Sequence, residues 1–276
     1  MRTIVHLSDL HFGRVDAALL SPLARAVADV VPDLVVVSGD LTQRARTAEF
    51  EAAAYFLKTL PSPLLTIPGN HDIPLHNVAQ RWLSPLARYR RYITNDLNPF
   101  FEDAEIAVLG VNTARALTLK DGRINQSQIE AATQRFAACK ADVTRIVVTH
   151  HTFDVPEAAA AATTLHKLVG RADMAVAGFI RAGVDMILSG HLHMSGVGET
   201  TTRYQLAGRA ALLVHAGTAT STRRRDQLNA FNVLRVTKSD VTIECRTWRA
   251  DEERYLSAST ERFTRTEAGW SRLASP

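Results

Sequence analysis

Ile4-Val5-His6-Leu7-Ser8-Asp9-Leu10-His11 sets the pattern of the whole chain: a short apolar run that breaks abruptly into carboxylate and imidazole. The pattern recurs four times. Leu34–Val37 leads to Ser38-Gly39-Asp40, and Leu64–Ile67 leads to Pro68-Gly69-Asn70-His71-Asp72. Ile146–Val148 leads to Thr149-His150-His151, and Met186–Leu188 leads to Ser189-Gly190-His191-Leu192-His193. Continuous apolar runs of this length read as strands buried on both faces. Helix-period stretches lie between them, over Ala17–Val31, about Ala48–Leu60 and Gln126–Cys139, and supply the crossovers of an α/β sheet. Ligands of such sheets bind outside the carboxyl ends of the strands. Five polar clusters far apart in sequence therefore converge on one rim.

The rest of the chain is consistent with a globular enzyme-sized protein. Its 276 residues are 46% hydrophobic and 22% charged, which excludes a disordered or fibrous chain. Two cysteines, Cys139 and Cys245, are too few for a disulfide framework or a thiolate metal site and read as buried apolar residues. Net charge is +4 and the pI about 9.3, but the charges interleave; the one compact basic run, Arg223-Arg224-Arg225, reads as a solvated loop. No basic stripe marks a specific nucleic-acid binder. No apolar run approaches the ~20 residues of a membrane span, and Met1-Arg2 runs straight into the first strand without a secretory segment. The expectation is a cytoplasmic protein.

Ile106–Val111 is a further strand. The stretch 73–99, with Pro74, Pro85 and Pro99 among aromatics and arginines, reads as a helical insertion, and Trp82, Tyr89 and Tyr92 as its packing. The Ala158–Ala162 run reads as helix. Beyond Gly190 come Thr201–Leu206, Ala211–Val214, Phe231–Val236 and Val241–Thr247, the pattern of an antiparallel meander. Residues 1–250 then make one domain and 251–276 a polar tail with Trp270 as its anchor.

Chemistry follows from the donor set. Asp9 and His11, like His191 and His193, are two apart, so in extended backbone both side chains leave on one side. Gly39, Gly69 and Gly190 let the chain turn off each strand. Imidazoles, carboxylates and one amide oxygen without a thiolate suit Zn, Mn, Fe, Co or Ni and argue against a structural zinc site.

In order along the chain, Asp9-x-His11, Gly39-Asp40, Gly69-Asn70-His71-Asp72, His150 and Gly190-His191-x-His193 resemble the calcineurin-like metallophosphoesterase family. The resemblance implies a four-layer αββα sandwich, two mixed β-sheets flanked by helices. It implies two metal ions, divalent or iron plus a divalent ion, with Mn, Fe, Zn and Co suitable. Carried over by motif, one ion takes Asp9, His11, Asp40 and His193; the other takes Asp40, Asn70, His150 and His191. A bridging hydroxide then attacks phosphorus, His71 protonates or stabilises the leaving oxygen, and Asp72 orients His71.

Within the family the motifs look most like the bacterial cyclic-nucleotide and glycerol phosphodiesterases. The implied substrate is a small phosphodiester. Two readings stay open beside it: a phospholipid or nucleotide-sugar-lipid phosphodiesterase or pyrophosphatase in peripheral contact with a membrane, and a non-catalytic scaffold. The family often forms homodimers. Arg44, Arg115 and His151 are candidates for substrate contact, each weighed against an ordinary structural role, and His6 reads as a core histidine. The insertion is where specificity is expected to be decided, because rim segments vary while a metal core stays fixed.

Overall fold

The computed structural model describes residues 1–118, 120–155, 168–204, 209–222 and 227–274. The Ala158–Ala162 and Arg223-Arg224-Arg225 runs and His166 lie outside them. The first strand, β1 (Arg2–Leu7), pairs in parallel with β2 (Leu34–Val37), and β2 with β3 (Leu64–Thr66). On its other side β1 meets β10 (Ala230–Val236) antiparallel, followed by β11 (Asp240–Arg249), β12 (Arg254–Thr266) and β13 (Gly269–Arg272). The second sheet runs β4 (Phe100–Glu102), β5 (Ile106–Gly110), β6 (Thr144–Val148), β7 (Met186–Ser189), β9 (Leu212–His215), β8 (Gly196–Glu199). Its four middle strands are parallel.

Strand alternation builds the layers. Ile4, Leu34, Val36 and Ile67 meet Val108, Ile146, Val148 and Leu188 between the sheets. Their neighbours Val5, Leu7, Val35 and Val37 face the opposite way, toward helices α1 (Leu20–Asp29) and α2 (Thr47–Leu57) through Leu23, Val27 and Phe50. Val147 and Ile187 likewise pack on α5 (Gln126–Ala137) and α6 (Ala172–Arg181). Each such side chain contributes about 1.5–3 kcal/mol on burial. The result is the four-layer αββα sandwich. The insertion holds two short helices, α3 (Val78–Leu83) and α4 (Ala87–Tyr92). Tyr89 is fully buried and Tyr92 stacks on Phe50, but Trp82 and Leu83 stand exposed, so Trp82 is not packing.

Three other expectations fail. Residues 251–276 are no tail: Arg254–Thr266 and Gly269–Arg272 are strands that extend the first sheet. Its buried side chains are few: Tyr255 packs toward the helices, and Phe263 and Trp270 pack between the sheets, so its sequence stays largely polar. The Thr201–Leu206 strand is replaced by a helical turn, α7 (Thr200–Arg203), where Thr200 exchanges hydrogen bonds with Ala211; residues 205–208 lie outside the described set. Cys139 and Cys245 are free and only half-buried. Among the described residues no helix is long and apolar enough to cross a membrane.

Candidate metal centre

Every polar cluster sits just past the carboxyl end of its strand, and the two sheets end at the same rim. The first sheet delivers Asp9, His11, Asp40, Asn70 and His71; the second delivers His150, His191 and His193. His11 Nε2 lies 3.0 Å from His193 Nε2 and 3.5 Å from Asp9 Oδ1, and His193 Nε2 lies 3.2 Å from the same oxygen. Asp40 Oδ2 is 3.3 Å from His150 Nε2 and 3.7 Å from His11 Nε2, and His150 Nε2 is 3.2 Å from Asn70 Oδ1. His191 closes on His150, with ring centroids 5.2 Å apart.

The routes by which the chain brings these groups together differ from the expected ones. Asp9, His11, Asp40, His191 and His193 all have φ between 52° and 70°, the left-handed region. Extended period-two geometry therefore does not aim the Asp-x-His and His-x-His pairs; two successive left-handed turns do. Each costs a residue with a Cβ about 1–2 kcal/mol, and such strain concentrates at functional sites. Of Gly39, Gly69 and Gly190 only Gly39 turns left-handed (φ 95°). Gly69 and Gly190 serve close approach instead: a Cβ would lie 2.1 Å from Asp40 Oδ1 on the former and 1.8 Å from Ser8 Oγ on the latter.

Burial makes the cluster costly without a cation. Asp9, His11, Asp40 and His150 are within 1% of complete burial. Asp9 Oδ2 accepts from Ser8 Oγ (2.6 Å) and His191 N (3.0 Å), but Asp9 Oδ1 accepts no hydrogen bond, and His11 Nδ1 also lacks a partner. A buried, orphaned carboxylate oxygen facing two imidazole nitrogens is an electrostatic demand for a positive charge. The donor separations also match a coordination sphere: metal–ligand bonds of about 2.0–2.2 Å place neighbouring donors about 3.0–3.5 Å apart. Four overlapping groups of side chains here could each hold an ion, among them Asp9–His11–His193 and Asp9–Asp40–His150. Burial alone would raise the Asp40 carboxyl, but the imidazoles around it, His150 foremost, hold it below its ordinary value. Burial would lower His150, yet Asp40 lifts it to about 9, while burial and His150 push His191 down to about 3.

His71 donates its backbone N–H to Asp40 Oδ1 (2.8 Å), and its Nδ1 lies 2.9 Å from the Gln43 carbonyl, which fixes Nδ1 as a donor. Asp72 does not orient it. The Asp72 carboxylate instead accepts from the amides of Leu41, Thr42 and Gly69 and from Thr42 Oγ1, pinning the turn that carries Asp40. Burial, then the nearby Asp40, raises its carboxyl to about 6.

His151 is fully buried with both ring nitrogens engaged, Nε2 on the Lys120 carbonyl (3.0 Å) and Nδ1 on Thr113 Oγ1 (2.8 Å). It packs behind His150 and His191 and cannot turn to substrate without breaking both bonds. Arg115 is held by Gln128 and lines a different cavity. Arg44 does reach the site: with Arg14, Gln43, Asn70, His71, Arg81 and Lys120 it lines a cavity of ≈ 490 Å³. His6 is a core histidine on Ser38 Oγ (2.9 Å).

Several contributors carry no signal as isolated letters. The Ser38 carbonyl accepts from His150 Nδ1 (2.8 Å), and the Gln43 carbonyl holds His71. A backbone carbonyl leaves no mark in a sequence. Ser8, beside Asp9, is a residue that adjacency could have nominated.

The sequence matches the calcineurin-like phosphoesterase family over residues 2–195, the span that holds every one of these groups. The chain belongs to that family. Its buried His and Asp side chains form clusters that could hold metal ions. An 80-residue stretch is 40% identical to the glycerophosphodiester phosphodiesterase GpdQ of Enterobacter lignolyticus, covering 25% of this chain and 29% of that protein. Over 137 residues it is 26% identical to the UDP-2,3-diacylglucosamine pyrophosphatase LpxG of Chlamydia trachomatis, 49% of this chain and 35% of that one. The similarity thus spans about a third of the length of these curated relatives. Among solved structures, the purple acid phosphatase PPD1 from yellow lupin superposes with a TM-score of 0.70 at 13% identity, over 95% of this chain and 53% of that one. This likeness establishes the metallophosphoesterase sandwich.

Proposed function

We propose that the protein is a dinuclear metal-dependent phosphodiesterase acting on a small diester. The observation that carries this reading is Asp40, whose Oδ2 faces His150 on one side and His11 on the other, as a carboxylate shared by two ions must. Asp9, His11 and His193 complete the first set of ligands; Asn70, His150 and His191 complete the second. Divalent cations there supply Lewis acidity toward a phosphoryl group and bring the pKa of water near neutrality. The protein's own part is to hold the ligands rigidly and to manage the leaving group. With Nδ1 committed to Gln43, His71 exchanges protons with substrate through Nε2, next to the Asp40 turn. An alkoxide leaving group needs that proton, which favours a diester, as does the partial likeness to a glycerophosphodiesterase.

The test is reconstitution with Mn, Fe, Zn or Co followed by assay against cyclic nucleotides, glycerophosphodiesters, lipid pyrophosphates and monoesters. Turnover of diesters with close to two ions per chain by elemental analysis is the expected result. Saturation at one ion overturns the dinuclear site, and two ions with no hydrolysis of any ester overturns the enzymatic reading.

A further inference from the structure

The cavity beside His71 has a lining that the hydrolysis of a simple diester does not require. Among the described residues its polar wall holds four cations, Arg14, Arg44, Arg81 and Lys120, and no carboxylate. Arg14, Arg44 and Lys120 are exposed at the rim, whereas Arg81 is 5% exposed. Among the described residues the Arg81 guanidinium bonds only to main-chain carbonyls, through Nε to Ala116 (2.7 Å), Nη1 to Pro74 (3.1 Å) and Nη2 to Thr118 (2.7 Å). These use three of its five N–H donors. The carbonyls satisfy hydrogen bonding but return no negative charge, and a buried cation without an anion is expensive. Glu49, five residues beyond Arg44, is spent on the amides of Arg44 and Arg46 at the start of α2. Among the described residues, the ion pairs of the molecule involve other arginines, such as Arg2, Arg235 and Arg265.

We propose that this cavity receives a second phosphoryl group of the substrate, so that the natural diester carries at least two negative charges. The inference rests on the phosphodiesterase reading and narrows it. Asn70 and His71 join the cavity to the metal centre, so the second group lies on the leaving-group side of the scissile phosphorus. A simple cyclic nucleotide, with its single charge, fills only half of such a site. An anhydride-linked phosphate and a phosphate on a separate carbon offer the same chemistry to the guanidinium groups.

The metal-loaded protein should be assayed on adenosine 2′,3′-cyclic phosphate, on the same compound bearing a 5′-phosphate, and on ADP-ribose. At least one of the two substrates with a second phosphoryl group, which carry two or more charges, should exceed the singly charged one about tenfold in kcat/KM, chiefly through KM, with the advantage shrinking as salt rises. Which of the two wins identifies the linkage. Arg81→Met risks the fold because three carbonyls lose their donor, so Lys120→Gln and Arg14→Gln serve as well; each should cut the ratio of doubly to singly charged kcat/KM by about an order of magnitude. Hydrolysis of all three substrates without preference, or a ratio untouched by both rim variants, overturns the second phosphate site alone. No hydrolysis of any of the three also overturns the second phosphate site, whereas the phosphodiesterase reading falls only if the wider panel of esters fails as well.

Discussion

The two halves of the proposed metal centre are built by different means. In the half formed by Asp9, His11 and His193, all three residues are left-handed, one carboxylate oxygen is orphaned, and His11 Nδ1 has nothing to bond. In the half formed by Asn70, His150 and His191, only His191 is left-handed. There His150 is aimed by its Nδ1–H on the Ser38 carbonyl, the outer contact that usually orients a metal-binding imidazole. The first half leans more on left-handed backbone, and the second more on the hydrogen bond that aims His150. Strain fixes direction without occupying any ligand atom, but its cost is borne whether or not an ion is bound.

Asp40 belongs to both halves, so Asp40→Asn should produce the largest effect. Removing the shared charge should strip both ions and lower turnover by more than the ~10–100-fold typical of groups that only support a ligand. Two ions retained at near-normal turnover would show that the halves are independent. His71→Ala should keep both ions yet lose on the order of 10²–10⁴-fold on diesters with alkoxide leaving groups. A nitrophenyl diester, whose leaving group needs no proton, should lose far less; equal losses would assign His71 to phosphate positioning.

Asp72→Ala should behave otherwise. It frees the amides of Leu41, Thr42 and Gly69, so urea unfolding of the metal-loaded protein should show a loss of at least about 1–3 kcal/mol. The ratio of alkyl to nitrophenyl turnover should stay that of the parent, because the Asp72 carboxylate is spent on the Asp40 turn while the Gln43 carbonyl holds the His71 ring. A changed ratio would restore the orienting role.

The smallest effect tests the comparison most directly. In metal-free protein, His193→Gly should be more stable than His193→Ala by about 1 kcal/mol, because glycine tolerates a φ of 58°. At position 150, where φ is not positive, the order should reverse by a similar amount. The same order at both positions would show that strain does not distinguish the halves.

The sandwich and the rim were legible because each strand announces itself as a buried apolar run and each cluster begins where the run stops. What the chain hid was conformational. Asp9-Leu10-His11 reads as continuing strand, and no single letter says that Asp9 and His11 turn left-handed. The adjacency of Asp72 to His71 suggested a partnership, whereas the carboxylate points to amides thirty residues upstream at Leu41 and Thr42. The strands β12 and β13 escaped because they bury only Tyr255 on one face and Phe263 and Trp270 on the other, too few for an apolar run. Gly196–Glu199 escaped because a strand of Gly-Val-Gly-Glu owes its form to Leu212–His215 beside it, not to its own propensity.

His193 comes from one sheet and Asp9 and His11 from the other; Asp40 and Asn70 likewise face His150 across the gap. Each ion would therefore be a fastener driven through a lap joint. Gly39 and Gly190 leave room for the two plates to touch at that edge: a Cβ on Gly39 would meet His150 Nδ1 at 2.7 Å, and one on Gly190 would meet Asp9 Oδ2 at 2.6 Å. Sliding one plate by an ångström against the other would pull apart both ligand sets at once. Metal affinity is then a gauge of how the Ile4–Val36 face sits on the Val148–Leu188 face. Loading the ions should stiffen the joint between the sheets more than either sheet itself, by the mass-action coupling that any native-state ligand exerts.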